Sequence, residues 1–188
     1  NMKKLRYWII VKEVIFEAAG VGGEQKVFAG DLPKLLNLLQ AGLYEDPLKA
    51  MIREIICNAR DANREAGKGN EFIKIELPTA LSPILKISDS GPGISKQKMN
   101  KVYLGLGNSS KTHTNELPGG FGLGSKTPWA YTDMFTIVTS AQENDEICKT
   151  FYAAARRDGG SVIQIHEELA NETGTSIEIP IKKEDFAR

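Results

Sequence analysis

The distribution of apolar and polar residues divides the chain into helical and β-type stretches. A first helix, capped by Asp31, is predicted over residues 31–41. A longer helix begins near residues 46–47 and continues to about residue 66, where Gly67 ends it. Short helical segments are predicted at residues 95–102 and 125–131.

Apolar runs rich in β-branched residues predict the strands. They lie at residues 7–18, 25–29, 72–77, 84–88, 134–141, 146–155, 161–167 and 175–181. Because helices come early and adjacent strands late, the order predicts an α+β sandwich of two layers, not a doubly wound sheet. The run from Tyr7 to Val11 leaves two alternatives open. It is a core strand, which the usual burial of apolar β runs favours, or an arm exchanged between protomers.

Composition narrows the class of protein without naming a function. The chain has 188 residues, 41% of them hydrophobic and 26% charged, which suits one compact domain. Its 24 basic and 24 acidic residues balance, so no global field draws it to nucleic acid or to anionic membranes. Cys57 and Cys148 match no metal spacing and are expected to be reduced thiols of a cytoplasmic protein. No apolar run is long enough to predict a transmembrane segment, and none is typical of a signal peptide.

Three polar residues form a stripe on the long predicted helix. Glu54, Asn58 and Asp61 stand at i, i+4 and i+7, so their side chains share one face. Carboxylate and amide oxygens suit Mg²⁺, which takes one or two protein ligands beside substrate phosphates. A solvated helix face has the same pattern, so both interpretations stay open.

A second motif ends the β run at residues 84–88. Asp89 follows that strand, and Gly91 and Gly93 follow Asp89. A carboxylate at a strand end can accept a hydrogen bond from an adenine amino group, and glycines let base and backbone approach closely. Taken alone, Asp, Ser, Gly and Pro are also the common formers of a plain turn.

Glycine dominates a third segment, residues 119–124, which Ser125, Lys126 and Thr127 follow. Backbone N–H groups of such a loop can surround phosphate oxygens, particularly where a helix begins, and Lys126 adds a positive charge. An extra residue separates Gly124 from Lys126, so the segment is not a Walker A loop. A flexible loop would have the same composition. Thr175, which begins the last predicted strand, says little by itself.

The order of these motifs carries more information than any one of them. Four motifs follow one another across residues 46–180: E-x3-N-x2-D-A, D-x-G-x-G, a glycine-rich segment, and a Gly-Thr pair before a strand. This order resembles the Bergerat fold of the GHKL ATPases (gyrase, Hsp90, histidine kinase, MutL). The resemblance implies a mixed, mostly antiparallel sheet with helices on one face. Glu54 is typical of the gyrase, Hsp90 and MutL branch, and residues 119–140 look closest to phage rIIA-like proteins.

The resemblance implies a role for each motif residue. Glu54 would be the catalytic base that polarises the attacking water, and Asn58 would ligate Mg²⁺. Asp61 would support the adenine end. Asp89 would accept the adenine amino hydrogen, supported by Thr175, while Gly91 and Gly93 would allow the close approach.

A lid over the phosphates is implied as well. It would begin at residues 105–111, where candidate phosphate contacts are expected at Asn108, Ser109, Ser110 and Lys111. Three glycines, Gly120, Gly122 and Gly124, would close it, with Lys126 as a further candidate contact. The expected ligands are therefore ATP, ADP and Mg²⁺.

Two functions from different classes remain. The first is an ATPase domain that couples nucleotide binding to conformational change or homodimerisation, which the presence of Glu54 favours. The second is a non-hydrolysing nucleotide-binding module that acts as a scaffold or inhibitor. In relatives of this kind a basic residue from a following domain reaches the γ-phosphate, and the sequence ends at Arg188 without such a domain. We therefore expect slow or absent hydrolysis by this chain. The resemblance also implies the host cytoplasm and leaves peripheral membrane association open.

Overall fold

The computed structural model describes residues 6–11, 14–19, 45–103, 124–156 and 160–186. Three helices lie in these ranges: α1 (Pro47–Glu65), α2 (Lys96–Tyr103) and α3 (Pro128–Tyr131). Single 3₁₀ turns occur at Gly124–Lys126 and Lys183–Asp185. The strands are β1 (Arg6–Val11), β2 (Val14–Ala19), β3 (Lys74–Glu76), β4 (Ile84–Ser88), β5 (Met134–Glu143), β6 (Glu146–Ala155), β7 (Ser161–Leu169) and β8 (Gly174–Pro180).

The first β-type run is a hairpin and not one strand. β1 and β2 pair antiparallel, with Val11 opposite Val14, so the prediction of a single strand over residues 7–18 is wrong. The physical reason is visible in the sequence, because the charged Lys12 and Glu13 divide the run into two apolar halves. The strand predicted at residues 25–29 and the helix predicted at 31–41 lie outside the described residues.

Six strands form the main sheet in the order β3-β4-β8-β5-β6-β7. Every pairing in it is antiparallel. The last strand of the sequence, β8, lies between β4 and β5, with Ser88 opposite Ser176 and Thr139 opposite Thr175. This insertion brings the end of β4 beside the start of β8, although the two are far apart in the chain.

Helix α1 forms where local signals and apolar spacing agree. Asp46 caps it by accepting a hydrogen bond from the Lys49 N–H at 3.2 Å, and Pro47 occupies the first turn. Gly67, with φ of 72°, ends it in the left-handed conformation that glycine adopts without strain. One face of the helix is buried at helical spacing through Leu48, Met51, Ile55 and Ala59.

The helices pack on one face of the sheet. Alternate residues of the strands point to that side, among them Leu85, Ile87, Ile137, Ile177 and Ile179, and they share a buried cluster with α1. Tyr103, Trp129 and Phe135 complete the cluster as aromatic pairs with ring centroids 5.4–6.4 Å apart. The predicted α+β fold of two layers is therefore confirmed.

Candidate nucleotide site

The polar stripe of α1 lies beside the start of the 3₁₀ turn. Glu54 is 17% exposed, and its Oε1 lies 3.2 Å from the Arg53 guanidinium. Asp61, about two turns further on, has its Oδ1 3.5 Å from the Arg60 guanidinium. Asn58 is exposed between them. The stripe is therefore neither buried in the core nor turned wholly to solvent.

Gly124, the last residue of the glycine-rich segment, lies against this stripe. A Cβ at position 124 would lie 2.9 Å from the Glu54 Oε2 and 3.6–3.8 Å from the amide atoms of Asn58. A side chain would thus collide with the carboxylate. Glu54, Asn58 and Gly124 therefore lie close together, and we call them the acidic end of the candidate site.

Asp89 lies at the other end, where β4 meets β8. Its Oδ1 accepts hydrogen bonds from the N–H groups of Gly91 at 2.8 Å and Thr175 at 3.1 Å, while its own N–H donates to the Thr175 carbonyl at 2.8 Å. Burial raises the pKa of the Asp89 carboxyl, and the two backbone donors oppose that rise. Among the described residues no donor reaches its Oδ2, which remains available to a ligand.

Gly91 and Gly93 allow the loop after Asp89 to pack closely against the protein. A Cβ on Gly91 would lie 2.6 Å from the Cβ of Ala62 in α1. Gly93 has φ of 75°, and a Cβ there would lie 2.0 Å from the Ser140 carbonyl oxygen of β5. The glycines therefore have a packing reason of their own, and their predicted approach to adenine stays a prediction.

Two buried polar residues that the sequence reasoning missed hold this loop. Asn63 accepts the Ser90 N–H at 2.8 Å and donates to the Glu71 carbonyl at 3.3 Å. Thr139 accepts the Ile94 N–H at 2.7 Å, and its hydroxyl lies 3.2 Å from that of Thr175. A signal for Asn63 existed, because it continues the apolar spacing of α1 four residues after Ala59. An amide at such a position is buried and needs partners.

Lys126, two residues after Gly124, is a buried cation. It is 1% exposed, and its ammonium donates to the Val102 carbonyl at 3.0 Å, at the end of α2. Ser125 donates to the same carbonyl at 2.7 Å. Burial lowers the pKa of Lys126 to about 8. Its predicted phosphate contact stays a prediction. The other lid candidates, Asn108, Ser109, Ser110, Lys111, Gly120 and Gly122, lie outside the described residues.

With this geometry in place, comparison with known proteins decides the family. The family model of histidine kinase-, DNA gyrase B- and HSP90-like ATPases matches residues 46–178, which include both ends of the site. The chain belongs to this GHKL ATPase family. It is also similar to the chaperone protein HtpG of Yersinia enterocolitica, with 23% identity over an alignment of 184 residues that covers 86% of this chain. The chain spans 29% of the length of that relative.

Membership confirms the GHKL resemblance and supports ATP binding by this chain. Among the described residues, no helix is both long enough and apolar enough to span a membrane. In the described ranges no three His, Cys, Asp or Glu side chains converge as a metal cage would require. The donors beside Gly124 are instead one amide and one carboxylate. Such a set suits Mg²⁺, which fills its remaining positions with water and phosphate oxygens.

Proposed function

We propose that this GHKL domain binds ATP with Mg²⁺ across the two ends of the candidate site and hydrolyses it. The observation that carries the proposal is the Oδ2 of Asp89, which receives no hydrogen bond from the described residues, while two backbone N–H groups on Oδ1 hold the carboxylate in place. A ligand that donates a hydrogen bond to this oxygen fits, and the adenine amino group is such a donor. Guanine has a carbonyl at the corresponding ring position, so ATP should bind more tightly than GTP.

The phosphates would lie towards Glu54, Asn58 and Gly124. Asn58 is the exposed amide of that end and would contribute an oxygen to the metal. When bound, Mg²⁺ would neutralise phosphate charge. Glu54 would accept the proton of the attacking water, and the lack of a side chain at Gly124 leaves room for its carboxylate there.

A second candidate function is a nucleotide-binding module without turnover. The Arg53 guanidinium lies 3.2 Å from Glu54, and this pairing occupies a carboxylate oxygen that an attacking water would otherwise contact. Arg53 is 64% exposed, so this pair is screened by solvent and is easily broken, and we favour the ATPase.

We further propose that the domain couples nucleotide binding to conformational change or dimerisation. The resemblance of residues 119–140 supports a phage rIIA-like protein acting in the host cytoplasm.

Calorimetric titration with ATP, ADP and GTP in the presence of Mg²⁺ tests binding. Asp89→Asn should weaken ATP binding by on the order of ten- to a hundredfold. The new amide can still accept both backbone hydrogen bonds, but it presents N–H groups to the adenine amino group. Asp133→Asn, at an exposed acid far from the site, is the matched control and should bind as the native chain does. No heat and no thermal shift at millimolar ATP would refute the proposal.

Phosphate release then separates the two candidate functions. Glu54→Gln should bind ATP normally and release phosphate about 10²- to 10⁴-fold more slowly than the native chain. If the native chain binds ATP but releases phosphate no faster than Glu54→Gln, the domain is a binding module.

A further inference from the structure

Large apolar side chains are exposed mainly in one stretch of the described chain. Phe72 is 93% exposed, Ile75 45%, Leu77 73% and Leu81 99%. Among residues 45–103, 124–156 and 160–186, whose burial the structure describes, Leu169 at the far end of β7 is the other comparable case. Scattered exposed apolar residues are ordinary, but a cluster of four on and around one short strand indicates a contact surface. We name residues 72–81 the β3 edge.

The β3 edge is also a free edge of the sheet. Of the described strands only β4 pairs with β3, so the other side of β3 presents backbone N–H and C=O groups without strand partners. Ile75 lies opposite the buried Ile87, which places it on the helix-covered face. Lys74 and Glu76 alternate to the opposite face, where their charged groups lie 2.9 Å apart.

We propose that the β3 edge pairs antiparallel with the same edge of a second copy of this chain, about a two-fold axis at Ile75. In that register Lys74 lies opposite Glu76 of the partner subunit, and Glu76 lies opposite the partner's Lys74. Ile75 meets its own counterpart, and Ile73 faces the partner's Leu77. The strand is thus complementary to itself in charge and in apolar character, as an isologous interface requires.

Charge complementarity is what favours a second copy over another occupant. A lysine on a short edge strand normally discourages pairing, because two copies would bring like charges together. Here Glu76, two residues from Lys74, converts that repulsion into two opposite-charge pairs per dimer. The surface is small, so association should be weak and should depend on concentration. It requires no nucleotide and does not rest on the proposed function.

Sedimentation velocity of the full chain over a concentration series tests the pairing. The native chain should form a dimer reversibly. Lys74→Glu and Glu76→Lys each place like charges opposite one another and should weaken the dimer by about tenfold or more. Both side chains are substantially exposed, so neither variant should unfold. The double variant K74E/E76K should dimerise as the native chain does.

Mixing the two single variants provides the decisive measurement. One chain then presents two glutamates and the other two lysines, so a heterodimer regains both opposite-charge pairs while each chain still lacks its internal ion pair. Glu168→Lys is the matched control, because it breaks a similar exposed pair with Lys149 at 3.0 Å on the other side of the sheet. It should leave association unchanged. The proposal is overturned if the native chain stays monomeric, if the single variants dimerise like it, or if mixing restores nothing.

Discussion

Asn63 and Asn58 lie on the same helix, and replacing each by alanine should separate the stability of the fold from nucleotide binding. Asn63 is buried and links α1 to two backbone groups, the Ser90 N–H and the Glu71 carbonyl. Asn58 is exposed and makes no hydrogen bond within the described ranges. The two substitutions are chemically identical, so any difference between their effects reflects the surroundings of the two positions.

The expected magnitude follows from the hydrogen bonds of Asn63. Leaving the Ser90 N–H without its acceptor in a part-buried position costs about 1–3 kcal/mol, and losing the weaker bond to Glu71 costs about 1 kcal/mol more. Asn63→Ala should therefore lower the free energy of unfolding by about 2–4 kcal/mol. For a domain of this size a loss of about 3 kcal/mol lowers Tm by roughly 6–12 °C.

Asn58→Ala should weaken nucleotide binding without lowering the stability of the fold. Alanine is the better helix former, so the free energy of unfolding should be unchanged or raised by up to about 0.7 kcal/mol. Affinity for ATP in the presence of Mg²⁺ should fall on the order of ten- to a hundredfold, as when a metal site loses a supporting group. Affinity measured in EDTA should change little, because the amide would act through the metal.

Urea unfolding followed by circular dichroism measures stability, and calorimetry with and without Mg²⁺ measures binding. The reasoning is refuted if Asn63→Ala loses less than about 1 kcal/mol, since a buried amide with two backbone partners cannot then be structural. It is equally refuted if Asn58→Ala destabilises the chain as much as Asn63→Ala does.

Three further predictions follow from the site. Gly93→Ala should cost at least about 2 kcal/mol in urea unfolding, because φ is 75° and the new Cβ would meet the Ser140 carbonyl; a smaller loss would show that the loop relaxes. Gly124→Ala should slow phosphate release but lower the free energy of unfolding only slightly, because its Cβ would displace only the end of the Glu54 side chain. Burial lowers the pKa of Lys126 in the folded chain from 10.5 to about 8, so the unfolded chain binds that proton more tightly. The free energy of unfolding of the native chain should therefore rise as pH increases from about 8 to 10.5. Lys126→Met should lack this rise, and parallel pH profiles for the two proteins would contradict the assignment.

Local signals account for what the sequence predicted well. The bounds of α1 depend on Asp46, Pro47 and Gly67, which act within a few residues of the helix ends. The same is true of β6, whose limits at Glu146 and Ala155 follow from its apolar run. Asp89 was identified because a strand end followed by glycines is also a local pattern.

Long-range packing accounts for what the sequence did not predict. No local pattern near residue 174 indicates that β8 lies between β4 and β5. The pairing of Thr175 with Asp89 was implied by the family resemblance alone, and the sheet order brings the Thr175 N–H to that carboxylate. Lys126 follows a glycine-rich segment, where lysine is expected at the surface, yet α2 covers it. The hairpin of β1 and β2 was missed because two charged residues can also be accommodated by a continuous exposed strand.

The position of β8 has a consequence for the order in which the domain can be completed on the ribosome. β4 and β5 are synthesised well before residues 174–180, and they become neighbours only through β8. Until those last residues emerge, Ile87 and Ile137 lack the Ile177 that lies between them in the finished sheet. The nascent chain thus carries a gap in the centre of its sheet, and the Asp89 end of the candidate site is completed only when that gap is filled.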